Sequence, residues 1–269
     1  MPPTERLLCS ALFLENSRED SSLESFRALY TEYKKILVDV KPFPKKFYAH
    51  KKIRVGYISP DIRFHVVAYF SLHLFVSYDK TRFEVFLYAN NAEDKITARF
   101  KERVDAFRNI LNKTADEVAA QIMDDEIDIL FDLAGHTADN SLPVLARKPA
   151  PIQISGIGYF DSTGLEAIDY FLADKFTDPE GLNEKFFTEK ILRLQHSHFC
   201  YVWHDYPYMI TPAPCTKAGY VTFASFNNFA KVTDEMLKIW GKILSAVPDS
   251  RLYLKGASFH EGCGLELAK

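Results

Sequence analysis

The chain has 269 residues, is 47% hydrophobic and 26% charged, and carries a formal net charge of -3. That is ordinary for a soluble globular protein, and it argues against nucleic acid as the main partner, because a phosphate-backbone binder shows a basic face. Cys9, Cys200, Cys215 and Cys263 stand far apart without a Cys-x-x-Cys pair. This disfavours a zinc site or a disulfide framework and fits a reducing compartment. The start lacks the n-region and h-region of a signal peptide, and the apolar stretch 7–14 is too short to span a bilayer. The chain therefore reads as cytoplasmic, with no membrane partner.

Residues 4–39 read as helical, with a break at Asn16-Ser17-Arg18 and then Leu23, Phe26, Leu29, Tyr30 and Tyr33 at helical spacing. Pro42 and Pro44 among lysines mark a linker, so residues 1–47 form a helical N-terminal segment. Ile53, Val55, Tyr57 and Ile58 predict a buried strand that Ser59-Pro60-Asp61 stops, followed by a helix from about Val66. His65 sits in the connecting loop. In parallel sheets the carboxyl end of a strand faces the ligand crevice, but a loop histidine that only caps or packs is the plainer reading.

A second strand is expected at 83–88, a helix at 93–108 and a further helix opened by the capping box Thr114–Glu117. Residues 127–132 form an apolar strand suited to a sheet covered on both faces, and it ends in Ala134-Gly135-His136-Thr137. A helix at 141–147 and strands at 152–157 and 168–173 continue the alternation, which predicts a doubly wound parallel sheet. Between the last two strands lies the glycine- and hydroxyl-rich stretch Gly158-Tyr159-Phe160-Asp161-Ser162-Thr163-Gly164. It is either a ligand-approaching turn or a plain connection. Residues 174–219 read as irregular. Their His196, His198 and His204 have no ligand-like spacing with a cysteine or carboxylate, so no metal site is expected.

A second α/β unit then starts. It has a strand at 220–225, a loop Phe226-Asn227-Asn228-Phe229-Ala230-Lys231, a helix capped by Thr233 and a strand at 251–255. Lys231 just before a helix N-terminus suits a phosphate, although a surface lysine is the alternative. The first unit is placed at 48–206 and the second at 207–269. One helix and two strands cannot bury both faces of a sheet, so exposed apolar surface is expected there.

Together these segments resemble the catalytic region of the O-linked N-acetylglucosamine transferase and SPINDLY-like glycosyltransferases, especially bacterial members with tetratricopeptide repeats. The residues that carry the resemblance are Arg54–Asp61 with His65, Asp128–Thr137, Arg147–Gln153, Gly158-Tyr159 with Thr163-Gly164, Ile168–Tyr170, and Ser225–Lys231. The resemblance implies a GT-B-type α/β fold. A Rossmann-like first lobe, with a parallel sheet and helices on both faces, would be followed by the start of a second lobe that binds UDP.

It further implies transfer of N-acetylglucosamine from UDP-N-acetylglucosamine to serine or threonine hydroxyls of proteins, with inversion and without an obligatory metal or cofactor. His65 and His136 match catalytic positions. Lys231, with Asn228 and Asn227, matches the UDP site, and Tyr159, Thr163 and Gly164 match the acceptor-side loop. Phe160-Asp161 departs from the family's Pro-Gly, and the family's second lobe continues beyond residue 255. The chain therefore resembles a fragment that needs the remaining lobe or another chain. The alternatives are a non-enzymatic binding remnant and a GT-B sugar-nucleotide epimerase.

Overall fold

A computed structural model describes residues 3–18, 20–201 and 209–256. The expectations placed on His204 and the tail containing Cys263 lie outside the described residues. The chain divides into two compact units, Met1–His204 and Asp205–Lys269.

The first unit is a seven-stranded, all-parallel sheet. Its strands are β1 Ile53–Ser59, β2 Phe83–Ala89, β3 Ala106–Asn109, β4 Ile129–Asp132, β5 Ile152–Ser155, β6 Tyr170–Asp174 and β7 Lys190–Leu194, in the order β3-β2-β1-β4-β5-β6-β7. Helices α1 Pro3–Glu15, α2 Leu23–Ile36, α3 Val66–Val76, α4 Lys95–Lys101, α5 Ala115–Asp124 and α6 Leu142–Ala146 complete it. The strand order reverses between β1 and β4, so the crevice of this doubly wound sheet opens at their carboxyl ends. That position governs the site.

The period of two along each strand produces two cores. Ile58, Tyr88 and Leu130 face one side, where they meet Val118, Ile122 and Leu142. Tyr57, Leu87 and Phe131 face the other, against Val67, Phe75 and Phe100. Each such side chain, fully buried, contributes about 1.5–3 kcal/mol. An exposed pair such as Lys101–Glu93 is screened by water and contributes little beside them, so the two sheet faces dominate stability. Leu12, Phe26 and Tyr30 form a third, smaller core between α1 and α2.

Local signals explain most boundaries. Thr114 and Glu117 close the expected capping box, with Thr114 N donating to Glu117 Oε2 at 2.7 Å and Glu117 N to Thr114 Oγ1 at 3.3 Å. Two expectations are corrected. The helix expected over 93–108 stops at Lys101, and residues 106–109 form β3. Ala106 and Phe107 pair with Phe86 and Leu87, while Arg108 reaches Asp125 at 2.7 Å, so tertiary pairing overrides the local helical spacing. The irregular stretch 174–219 contains β7, an edge strand whose Ile191 and Arg193 alternate with exposed neighbours. It also contains α7 Cys215–Ala218 in the second unit.

The second unit comprises α7, then β8 Thr222–Ser225 parallel to β9 Arg251–Leu254, joined by α8 Asp234–Ala246. Thr233 caps α8 by accepting from Met236 N at 3.2 Å. Val221, Phe226, Ile239, Ile243 and Tyr253 are exposed here, the apolar surface expected of a half-built sheet. Among the described residues, no helix is long and apolar enough to cross a membrane.

Candidate active site

The crevice of the first unit is a cavity of about 1270 Å³, walled by Pro60, Asp61, His65 and Val67 on one side and by His136 and Thr137 on the other. These are the loops that follow β1 and β4, the strands flanking the switch point. Pro60 ends β1, and Asp61 N donates to Ser59 Oγ at 3.0 Å, which turns the chain sharply.

His65 is the N-cap of α3, in extended conformation, and its side chain is 36% exposed. Its Nδ1 lies 3.4 Å from both Val67 N and Asp61 Oδ1. The capping reading is thus realised, but Asp61 adds a second option. When Nδ1 carries the proton and donates it to Asp61, Nε2 keeps a lone pair. Among the described residues Nε2 has no hydrogen-bond partner. Asp61 is also held by Arg63 at 3.1 Å.

His136 is 1% exposed. Nε2 lies 2.9 Å from the carbonyl of Thr163, which can only accept, so Nε2 carries the proton. Nδ1 then accepts from the Cys9 thiol at 3.4 Å. The ring meets Tyr33 and Tyr159 edge-on, with centroids 4.8 and 5.5 Å apart. Burial lowers its pKa to about 4, so near neutral pH the ring is uncharged, with both nitrogens engaged. Burial also pushes the Cys9 thiol up to about 11, so it donates as S–H. Asp132, at the end of β4, shapes this loop by accepting from Gly135 N at 2.8 Å and Ser155 Oγ at 2.7 Å. Gly135 has φ +52°, and a Cβ there would sit 2.5 Å from the Tyr159 side chain, so only glycine fits.

Tyr159, Thr163 and Gly164 gather around His136. Tyr159 OH accepts from Asn16 at 3.0 Å, and Tyr30 OH donates to Ser162 O at 2.9 Å. Gly164 has φ +71° and packs on Tyr30, where a Cβ would come within 2.5 Å of the ring. The N-terminal helical pair therefore buttresses this loop from one side. Glu189, before β7, buttresses it from the other, accepting from Thr163 N at 2.8 Å and Ser162 Oγ at 2.6 Å. Phe160 is 64% exposed. Its neighbour Asp161 is buried, and desolvation, then the Glu189 and Asp178 charges, push its carboxyl up to about 7.

His198, read among the irregular histidines, donates Nδ1–H to Asp174 at 2.7 Å. The Asp174 carboxylate is held well below the usual range by backbone and imidazole donors that outweigh its burial. The pair ties the segment after β7 to the end of β6. Sequence reading missed Asp61 as a partner of His65, and it missed Cys9 and Glu189. Only Asp61, four residues before His65, left a local signal.

Lys231, Asn228 and Asn227 belong to the second unit and lie together between β8 and α8. Lys231 ends a 3-10 turn, Phe229–Lys231, with its N–H donating to Asn228 O at 3.0 Å, and its side chain is exposed. Asn227 borders an apolar cavity of about 300 Å³ with Phe223, Trp240 and Leu252. Lys231 thus stands two residues before the Thr233 cap of a thirteen-residue helix.

A chain described as "Probable UDP-N-acetylglucosamine–peptide N-acetylglucosaminyltransferase SPINDLY" from Solanum lycopersicum is 35% identical over 252 residues, covering 92% of this chain and 27% of that one. Its counterpart named SEC in Arabidopsis thaliana is 31% identical over 217 residues, covering 76% and 22%. A solved mutant of the Thermobaculum terrenum O-GlcNAc transferase superposes with a TM-score of 0.89 at 28% identity, over 99% of this chain and 51% of that chain. The present chain thus spans about a quarter of the curated relatives' length. The family model for glycosyl transferase family 41 matches residues 30–212, and the chain belongs to that family.

Proposed function

We propose that the chain carries the acceptor-side unit, and the beginning of the donor-side unit, of an enzyme that transfers N-acetylglucosamine from UDP-N-acetylglucosamine to serine or threonine hydroxyls of proteins. The observation that carries this is His65 in the wall of the switch-point cavity with its Nδ1 3.4 Å from Asp61 Oδ1; with Nδ1–H donated to Asp61, Nε2 keeps its lone pair as the base. The acceptor oxygen forms the new bond to the anomeric carbon as the bond to the diphosphate breaks, and its proton passes to His65 Nε2. Attack from the face opposite the leaving group inverts the centre. The departing diphosphate gains negative charge, which Lys231 and the amino end of α8 are suited to hold, so the reading requires no metal ion or cofactor.

His136 takes a different part. With both nitrogens engaged, it positions the loop 159–164 and does not move the proton. The catalytic position that the resemblance implies for His136 is thus read here as a positioning one.

The test is calorimetric titration of the chain with UDP beside Lys231→Ala. Saturable binding that weakens by about tenfold or more in the variant is expected, as for a lost hydrogen bond to a charged group. A parent chain that does not bind UDP removes the donor half of the reading.

A further inference from the structure

Glu5, in the first turn of α1, is only 4% exposed, yet its carboxylate is poorly matched. Oε1 accepts from Tyr33 OH at 3.3 Å, and Oε2 has no donor among the described residues. Burial raises the Glu5 pKa, which that hydrogen bond and the charge of the chain's amino terminus offset only in part. A carboxylate taken out of water is costly unless a cation or several donors meet it. No step of the proposed transfer uses this group.

Glu5 lines a cavity of about 640 Å³, a volume within the range of small-molecule sites. The wall has two parts. Ile110, Val118 and Val144, all buried, and Leu37 at the end of α2 make an apolar part. Glu5, Asp139 and Asn140 belong to the polar part. The two cations of the wall are engaged with other partners. Arg147 pairs with Asp116 at 2.5 Å and donates to Pro143 O at 2.6 Å, and Lys113 donates to Gln121 Oε1 at 2.7 Å. Asp139 accepts from Asn90 Nδ2 at 3.0 Å through its backbone carbonyl, while its carboxylate makes no ion pair among the described residues.

Two uncompensated carboxylates beside an apolar wall call for a cation with a hydrocarbon body. Among the described residues no three histidine, cysteine or carboxylate side chains are grouped to hold a metal ion, and a bare ion would leave the apolar wall unused. A primary ammonium brings three N–H donors to the carboxylate, and its methylenes cover the aliphatic side chains.

We propose that this cavity binds a small aliphatic primary amine, with its ammonium on Glu5 and its hydrocarbon part against Leu37, Ile110 and Val144. The site is distinct from the place of proton transfer at His65, but it reaches the back of the His136 network. The Tyr33 ring, whose OH donates to Glu5, meets His136 edge-on, and Asn140 Nδ2 donates to Cys9 Sγ at 3.4 Å. A bound amine therefore shifts the His136 ring signals.

The test is NMR titration of the chain near neutral pH with n-pentylamine, beside 1-pentanol, which has the same hydrocarbon part without the charge. Saturable shifts at Leu37, Asn140, Val144 and the His136 ring are expected with the amine. Pentanol should bind at least about tenfold more weakly, and so should the amine to Glu5→Gln, as for a lost charge-assisted hydrogen bond. Glutamine keeps the size of the side chain and an acceptor for Tyr33 OH. Asp139→Asn, at an exposed position with φ +55° that asparagine tolerates, should weaken the amine about threefold without touching the core. That variant decides the matter where Glu5→Gln alters the fold. No saturable shift at millimolar amine, shifts confined to other surfaces, equal affinity for the alcohol, or binding unchanged in both folded variants each overturns the proposal.

Discussion

The loops after β1 and β4 are equivalent by topology, yet their histidines live in opposite surroundings. His65 caps α3 at the cavity mouth, half-exposed, with Nε2 unengaged and Asp61 beside Nδ1. His136, across the crevice, is sealed between Tyr33 and Tyr159 with both nitrogens bonded. The same side chain is thus available for proton transfer in one loop and serves as a neutral strut in the other. The difference comes from what packs on each loop. Only the second lies under the N-terminal helical pair, which brings Cys9 and Tyr33 to the ring.

The contrast can be broken or sharpened by substitution. His65→Ala should have the largest effect, a fall in transfer of about 10²–10⁴-fold, the range of a lost general base, with UDP affinity nearly unchanged. Unchanged transfer would remove His65 from the chemistry. His136→Ala should act on folding first. It leaves the Thr163 carbonyl and the Cys9 thiol unmatched beside a cavity, for a loss of about 3 kcal/mol in chemical denaturation. A variant as stable as the parent would mean that the strut reading is wrong.

Asp161→Asn should add on the order of 2 kcal/mol at pH 8. The folded carboxyl is raised to about 7 from its ordinary 3.8. Its stabilising contribution is therefore full below about 4 and lost as pH rises through 7, so the gain over the parent should grow across that window. His136 has the opposite sign. Its folded pKa of about 4 lies below the ordinary 6.5, so its contribution is full above 6.5 and lost as pH falls toward 4. In the parent the two slopes oppose each other between 4 and 6.5, and Asp161→Asn should uncover the His136 slope. A pH-independent difference between variant and parent would contradict this. Cys9→Ala should cost about 1 kcal/mol, the net worth of one buried hydrogen bond, read from the same denaturation curves.

Much of this fold was legible locally. Pro60 after an apolar run, the Thr114–Glu117 box and the Thr233 cap each announce a boundary through short-range chemistry. The parallel, doubly wound sheet followed from the alternation of elements. The misses were non-local. Strand β3 is four residues whose pairing with Phe86 and Leu87 outweighs a helical-looking spacing, and β7 is an edge strand, Lys190–Leu194, whose exposed and half-buried residues alternate. The site was half legible for the same reason. Asp61 stands four residues from His65 and within reach of any reading of the motif. The hydrogen-bond partners of His136, Cys9 and Thr163, lie 127 and 27 residues away, and Glu189 reaches Thr163 from 26 residues on. No local pattern announces burial imposed from such distances.

The most direct test of the contrast is long-range ¹H–¹⁵N correlation NMR of the histidine rings at pH 5.5. The account predicts that His136 is uncharged there, with Nε2 protonated and Nδ1 bare, and that it gains a second proton only near pH 4. An imidazolium signature for His136 at pH 5.5, or a proton on Nδ1 in place of Nε2, would contradict the assignment of its two hydrogen bonds and, with it, the division of labour between the two loops.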